Sequence, residues 1–166
     1  MFENSDSNSL KLIDMGLSQI TRKNENFTNQ KGSLFFVSPE MIMGKYNHKI
    51  DIWSAGVIFY LLITGKPAFW GQKYSSENGF VFNRESLIKM ILKGEVNYDM
   101  SIFKKINPEV EKIIRGMLSF YPDKRPDAKD ILQHPWFSCQ KINILNQKGN
   151  ISVSYTHLTL PTTPYV

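Results

Sequence analysis

The chain has 166 residues, of which 42% are hydrophobic and 21% are charged, and its formal net charge is +5. This size and composition are typical of one globular domain with a buried core. Lys and Arg do not form blocks with interleaved aromatic residues, which argues against nucleic-acid binding.

Cysteine content and the polar N-terminus indicate the compartment. The single cysteine, Cys139, excludes an internal disulfide and a Cys-rich metal site, and it fits a reducing environment. The first eight residues are polar and acidic, without the apolar segment of a signal peptide. We therefore expect a cytoplasmic protein that is not bound to a membrane.

The first part of the chain shows little periodic hydrophobicity. Residues 10–13 alternate between apolar and polar and predict a short strand, which ends in a turn at residues 14–16. Residues 17–38 are loop-like, and a loop of this length in a compact domain is usually functional or disordered. Proline at a first-turn position then predicts a helical turn over residues 39–43.

A helix is predicted over residues 51–65, which are apolar on almost every side. A helix without a polar face is buried on all sides, and this run is shorter than the ~20 residues that a membrane span needs. Gly65 and Pro67 end it. Asp51 is the one charge at its start, and we interpret it either as a simple N-terminal acid or as a buried clamp on another backbone segment.

Three further helices are predicted in the second half of the chain. An irregular stretch at residues 71–85 precedes the first, whose apolar positions at residues 87–92 share one face. The second spans residues 107–118, with an Asn-Pro start and the apolar spacing of a half-buried helix. The last spans residues 127–132, and the two aromatic residues at 136–137 are expected to pack back on the core.

The C-terminal tail differs in composition from the rest. Residues 151–166 contain no Lys, Arg, Asp or Glu. Residues 153–158 resemble a translated sequencing adapter, so we expect a non-native tail, with a disordered native tail as the alternative. Residues 139–150 are then a linker.

Five short motifs occur in the order in which the C-terminal lobe of a eukaryotic protein kinase has them. They are residues 12–18 (LIDMGLS), 32–40 (GSLFFVSPE), 51–56 (DIWSAG), 123–126 (DKRP) and 134–137 (HPWF). The first is similar to the Asp-Phe-Gly motif and the second to the end of the activation segment. Met15 and Ser38 stand where that family has Phe and Ala.

The resemblance implies a mainly α fold over residues 1–138, an incomplete kinase domain. A short strand and the activation segment would be followed by a helical bundle around a buried central helix. The stretch at 71–85 looks like an insertion relative to the family.

The resemblance also implies roles for individual residues. Asp14 would hold the Mg²⁺ that bridges the phosphates of ATP, since a hard dication prefers carboxylate oxygen. Met15, which is flexible and apolar, would fill the pocket that the family's Phe occupies. Glu40 would form a buried ion pair with Arg125, whose alternative is a solvated surface position. Asp51 would clamp the backbone of the catalytic loop.

Two hydroxyl residues carry the expectations about substrate and regulation. Ser33 is similar to the hydroxyl residue of the serine/threonine class and would lie near the substrate hydroxyl. Thr28 is the candidate for activation-loop phosphorylation, with an unmodified loop as the alternative. The nearest resemblance is the calcium/calmodulin-dependent group, including the calcium-dependent kinases, and residues 2–4, 11–18 and 65–69 carry it. It implies ATP, a protein substrate and a calcium/calmodulin-type regulatory domain in the full-length protein.

Three parts of the kinase signature are missing from the 166 residues. They are the Gly-rich loop, the strand with the phosphate-binding Lys and the His-Arg-Asp catalytic loop. Because phosphoryl transfer needs all these parts in position together, we expect these residues alone to be inactive. The central helix would also lack packing partners, so we expect a poorly soluble chain that binds apolar dyes.

Two other interpretations compete with a serine/threonine kinase. In a pseudokinase or scaffold-type binding module, Met15 and Ser38 would mark the decay of an active site. The retention of the expected acids and of Arg125 favours the enzyme. An unrelated helical interaction protein would have no strand at residues 10–13 and no contact between Glu40 and Arg125.

Overall fold

The computed structural model describes residues 12–22, 25–29, 31–70, 72–75, 79–98 and 101–137, with only the backbone for residues 72–75 and 79–81. Helices dominate these ranges, which confirms the predicted mainly α fold. The predicted linker and tail lie outside the described residues, as does Cys139. No helix in the described part is both long enough and apolar enough to cross a bilayer.

Each of the predicted helices is present in the structure. They are α1 (Pro39–Ile42), α2 (Lys49–Thr64), α3 (Arg84–Lys93), α4 (Pro108–Met117) and α5 (Ala128–Gln133). Two 3₁₀ turns, Leu34–Phe36 and Pro122–Lys124, precede α1 and α5. The central helix α2 begins two residues before Asp51, which therefore lies in its first turn.

Local capping explains where these helices begin and end. Asn83 and Asn107 cap α3 and α4, because their side-chain oxygens accept hydrogen bonds from the backbone N–H of Ser86 (2.7 Å) and Glu109 (2.9 Å). At its C-terminal end, α2 is followed by Gly65, whose φ of +67° is a left-handed conformation that favours glycine. The predicted start at Asn107 and the predicted end at Gly65 depend on these same residues, whereas the Asn83 cap was not predicted.

The prediction of an irregular stretch at residues 71–85 is wrong. This stretch contains an antiparallel hairpin of β1 (Gln72–Ser75) and β2 (Gly79–Phe82), in which Gln72 lies opposite Phe82. The second strand has the sequence Gly-Phe-Val-Phe, whose aromatic and β-branched residues favour a strand. The Phe82 ring lies 5.4 Å from the Phe35 ring, measured between centroids, which places the hairpin beside the first 3₁₀ turn.

The strand predicted at residues 10–13 is not formed in its described half. Leu12 and Ile13 are exposed and have no regular secondary structure, and Leu10 and Lys11 lie outside the described residues. A strand needs a neighbouring backbone to bond with, and no described segment pairs with this one. Met15 also does not fill a pocket, because 55% of it is exposed.

The hydrophobic core lies between α2, α3 and α4. Its buried residues are Trp53, Val57, Tyr60, Ala68, Phe69, Leu87, Ile91, Phe103, Val110, Ile114 and Leu118. All five apolar positions predicted for the face of the 107–118 helix are buried, at residues 110, 113, 114, 117 and 118. The rings of Trp136 and Phe137 pack on Phe59 of α2, with centroids 5.5 and 5.8 Å apart, so the predicted return of these aromatic residues to the core is confirmed.

The helix α2 is buried on one side only, which corrects the expectation of burial all round. Ile58 is 47% exposed and Leu62 is 72% exposed, on the side of α2 away from α4. After Asp51 in the first turn, the exposed residues of this side are Ala55, Ile58 and Leu62, none of them polar, so apolarity alone did not distinguish the two sides. No described element covers Ile58 and Leu62.

Candidate functional site

Asp14 lies in a tight turn that fixes its backbone. It has a φ of +62°, the one positive φ outside glycine among the described residues, and Asp tolerates this conformation better than most side chains. Its Oδ1 accepts a hydrogen bond from the backbone N–H of Gly16 at 3.3 Å. The turn presents an exposed carboxylate whose backbone conformation is set locally.

Three of the sequence-predicted site residues line one cavity of about 500 Å³. Asp14 lines it from the turn, Ser33 from the segment before α1, and Asp51 from the first turn of α2. Asp51 is exposed to this cavity, so no described segment covers it in the way that a buried clamp requires. The cavity thus brings together two carboxylates and a hydroxyl from three separate segments.

The segment that carries Ser33 is attached to α2. Ser33 precedes the 3₁₀ turn Leu34–Phe36, and its own side chain makes no capping hydrogen bond. The hydroxyl of Ser54 in α2 donates to the carbonyl oxygen of Phe36 at 2.9 Å. Ser38 is buried, and its hydroxyl accepts from the backbone N–H of Met41 at 3.4 Å. The Ser54 bond holds the segment against α2, the Ser38 bond caps α1, and Ser33 lines the cavity between them.

Glu40 and Arg125, 85 positions apart in sequence, form a buried bidentate ion pair. Arg125 Nη1 donates to Glu40 Oε1 at 2.6 Å and Nη2 donates to Oε2 at 2.9 Å, and the two residues are 2% and 5% exposed. The remaining donors reach the carbonyl oxygens of Ser119 (2.8 Å), Lys49 (3.0 Å) and Phe120 (3.3 Å). All five N–H donors of the guanidinium are therefore satisfied.

This ion pair connects three parts of the fold. Glu40 belongs to α1, the carbonyl of Lys49 belongs to the start of α2, and Arg125 precedes α5. The guanidinium also lies 4.9 Å above the ring of the core residue Trp53. The pair therefore fixes the end of the segment that lines the cavity to the core.

A second set of polar contacts lies beside the Glu40–Arg125 ion pair. The Lys49 ammonium donates to the carbonyl oxygen of Arg125 at 2.9 Å and to the carboxylate of Asp127. The hydrogen bond and the positive charge of Lys49 lower the pKa of the Asp127 carboxyl group. Lys49, at the start of α2, is thus bonded both to Arg125 and to Asp127, the residue that precedes α5.

The loop that carries Thr28 is pinned beside the cavity. Phe27 and Tyr46 exchange two backbone hydrogen bonds, of 2.7 and 3.0 Å, and the Tyr46 hydroxyl donates to the carbonyl of Asn29. Thr28 itself is exposed and does not line the cavity. Sequence reasoning missed Tyr46 and Ser54, because each acts on a backbone carbonyl far away in sequence and belongs to no local pattern.

Asp14 fits one part of a Mg²⁺ site. No group of three or more metal-ligating side chains occurs among the described residues. Protein-bound Mg²⁺ commonly uses one or two carboxylates and takes its other ligands from substrate phosphates and water. A single accessible carboxylate on a fixed turn, at the wall of a cavity, agrees with that chemistry.

Comparisons with known proteins identify the family. Residues 1–137 match the family described as protein kinase domain. The chain is 36% identical over 132 residues to calcium-dependent protein kinase 22 of Oryza sativa subsp. japonica, a match that covers 80% of this chain and 21% of that protein. It is 38% identical over 127 residues to calcium-dependent protein kinase 11 of the same species, covering 76% and 20%. Calcium-dependent protein kinase 26 of Arabidopsis thaliana is 34% identical over 131 residues, covering 79% and 25%.

The chain therefore spans about a fifth to a quarter of the length of these relatives. The match includes the turn at Asp14, the segment that ends at Glu40, the helix α2 and the residues around Arg125. The chain belongs to the protein kinase family, and within that family it is similar to the calcium-dependent protein kinases.

Proposed function

We propose that this chain forms the substrate-binding lower part of a serine/threonine protein kinase, which transfers the γ-phosphate of ATP to protein hydroxyl groups. The observation that carries the proposal is the cavity that Asp14, Ser33 and Asp51 line together. Membership of the kinase family supports this interpretation of the cavity. Asp14, Ser33 and Asp51 come from the motifs that the family uses for metal binding, substrate binding and attachment of the catalytic loop, respectively.

Each residue has a stated task in this proposal. The Asp14 carboxylate holds Mg²⁺, which offsets the negative charge of the phosphates during transfer. Ser33 lies beside the substrate hydroxyl, and Asp51 accepts hydrogen bonds from the backbone of the catalytic loop. The Glu40–Arg125 pair does not touch substrate; it keeps the segment of Ser33 at a fixed distance from α2.

The proposal assigns the remaining chemistry to other segments of a longer protein. The 166 residues contain no Gly-rich loop, no phosphate-binding Lys motif and no catalytic loop. Positioning and charge stabilisation by all these parts together account for phosphoryl transfer. We therefore propose that the 166 residues alone are inactive, and that a calcium-regulatory domain belongs to the longer protein.

A chimaeric kinase tests the proposed function. Residues 12–137 would replace the matching segment of a calcium-dependent protein kinase, and transfer of labelled phosphate from ATP to Ser and Tyr peptides would be measured. We expect transfer to the Ser peptide, and its loss in Asp14→Ala. Glu25→Ala is the matched control, because Glu25 is an exposed acid of the same region that does not line the cavity.

The outcome of this experiment separates the enzyme from the scaffold alternative. A folded chimaera that transfers no phosphate would favour a binding module with a decayed site. Transfer that survives in Asp14→Ala would remove Asp14 from the proposed metal site. Activity of the pure 166-residue chain that Asp14→Ala abolishes would overturn the proposed dependence on other segments.

A further inference from the structure

Three aromatic rings join the β1–β2 hairpin to the segment that carries Ser33. Phe35, two residues after Ser33, lies between Trp70, which stands just before β1, and Phe82, the last residue of β2. The centroid of the Phe35 ring is 5.7 Å from that of Trp70, with the two planes 27° apart, and 5.4 Å from that of Phe82, at 41°. Both distances are in the range of interacting aromatic pairs. Residues at the two ends of the hairpin therefore meet at one ring of the segment.

Phe35 does not itself line the cavity of Asp14. Its neighbours Ser33 and Phe36 do, and the carbonyl oxygen of Phe36 accepts the hydrogen bond of Ser54 in α2. The segment is thus attached to α2 through a backbone carbonyl and to the hairpin through a side chain. A change in either attachment alters where Ser33 lies at the cavity wall.

The hairpin is held to the rest of the fold by these rings and by α3. A two-stranded hairpin is only marginally stable in water on its own, so it depends on such contacts. Its first strand contacts α3, and Phe82 directly precedes Asn83, the residue that caps α3. Helix α3 packs into the core through Leu87 and Ile91. The Phe35 ring is therefore linked through the hairpin to a core helix.

We propose that the β1–β2 hairpin positions the substrate-binding segment, and that Phe35 is the positioning residue through which it acts. This inference rests on the proposed function, because it takes Ser33 to lie beside the substrate hydroxyl. Phe35 touches neither the protein substrate nor ATP. Loss of its ring contacts reduces the fraction of molecules in which Ser33 is in place, and the apparent affinity for the protein substrate falls by that fraction.

Hydrogen–deuterium exchange of the 166-residue chain tests this positioning without any phosphoryl transfer. The backbone N–H groups of Phe36 and Val37 donate to the carbonyl oxygens of Ser33 (3.0 Å) and Leu34 (3.4 Å), so their exchange reports the order of the turn. We expect Phe82→Ala to speed this exchange about two- to tenfold, the factor that corresponds to the loss of one aromatic pair. Exchange in α4 should not change. Phe82→Tyr keeps a ring at this position and should restore the slower rate.

Two control variants separate the ring contact from other effects of the substitution. Asn83→Ala removes the cap of α3, whose side chain accepts from the N–H of Ser86 at 2.7 Å, and leaves Phe82 in place. It should speed exchange in the first turn of α3 and not in the segment of Ser33. Tyr121→Ala removes another exposed ring, which packs on Phe120 with centroids 5.3 Å apart, and should leave that segment unchanged.

The chimaeric kinase measures the consequence for the reaction. In the chimaera, Phe82→Ala should lower kcat/KM for the Ser peptide about two- to tenfold and leave the KM for ATP unchanged. Phe82→Tyr should restore the activity towards the peptide. A purely structural role of the ring would instead impair the handling of ATP and of the peptide together.

Three results would overturn the inference. The first is unchanged exchange of the segment in Phe82→Ala. The second is equally fast exchange of the segment in Asn83→Ala or Tyr121→Ala, which would mean a general loss of stability. The third is an active chimaera in which Phe82→Ala leaves the peptide kcat/KM unchanged or alters the KM for ATP as well. Faster exchange in Phe82→Ala alone, together with an inactive chimaera, would contradict the kinase proposal and support the hold of the hairpin on the segment.

Discussion

Gly56 of α2 faces Met117 of α4 at a distance that leaves no room for a side chain. A Cβ atom added to Gly56 would lie 2.8 Å from Met117 Cβ and 3.1 Å from Leu118 Cδ2. Gly56→Ala would therefore push the two helices apart. We expect it to reduce the free energy of unfolding by about 1–3 kcal/mol, measured by urea unfolding with circular dichroism.

Gly116 provides the control for Gly56. It lies in α4, and an added Cβ would meet Pro126 Cδ only at 3.6 Å, an ordinary contact distance. Gly116→Ala should be neutral or stabilise the chain by up to about 1 kcal/mol, because alanine favours a helix more than glycine does. Equal destabilisation by both substitutions would contradict the close approach at Gly56.

Removal of Glu40 should be among the most destabilising single changes. Glu40→Ala leaves the guanidinium of Arg125 buried and without its counter-charge, which typically costs about 3–5 kcal/mol. Glu111→Ala, which breaks the partly exposed pair with Arg115 at 2.7 Å, should cost less than about 1 kcal/mol. The midpoints of thermal unfolding compare the two variants, and similar losses would mean that burial of the Glu40 pair adds little.

The helices of this chain could be predicted from the sequence because their signals are local. The Asn107-Pro108 start and the Gly65 end act on backbone groups within one turn. The hairpin of β1 and β2 was missed because each strand has only four residues, and a strand is defined by its partner. The failed strand at Leu12 and Ile13 has the same cause, since alternation in sequence does not supply a neighbouring backbone.

The order of the motifs predicted which residues form the candidate site. The sequence could not predict how those residues are arranged in space. The motifs indicated Asp14, Ser33 and Asp51, and the structure places them around one cavity. Ser54 and Tyr46, which hold the walls of that cavity, bond to backbone carbonyls 18 and 17 positions away. Contacts of that range depend on the packed fold and leave no periodic trace in the sequence.

Alkaline pH should destabilise the chain through Tyr98. Burial raises the pKa of Tyr98 to about 12, opposed by the Arg115 guanidinium, which lies 3.7 Å from the ring centroid. The folded pKa is above the unfolded value of 10.0. The contribution of neutral, buried Tyr98 to the free energy of unfolding is therefore complete below pH 10 and is lost as the pH rises towards 12. Burial also raises the pKa of Tyr60, which acts in the same direction.

The tyrosine contribution can be separated by substitution. In Tyr98→Phe, the free energy of unfolding should fall less steeply between pH 10 and 12 than in the unmodified chain, and the latest step of the tyrosine absorbance titration should be missing. Tyr121→Phe is the control, because Tyr121 is exposed. An identical alkaline slope in all three proteins would mean that Tyr98 titrates normally.

The exposed side of α2 should dominate the binding of apolar dyes. Ile58 and Leu62 are one helical turn apart and exposed together, so they form a continuous apolar surface. Leu62→Glu should reduce dye fluorescence and light scattering of the 166-residue chain, with a change in unfolding free energy within about 0.5 kcal/mol. Leu132→Glu, at the equally exposed Leu132 of α5, is the control and should reduce both signals less. If both variants behaved alike, the surface of α2 would have no special role, and the expected poor solubility would need another source.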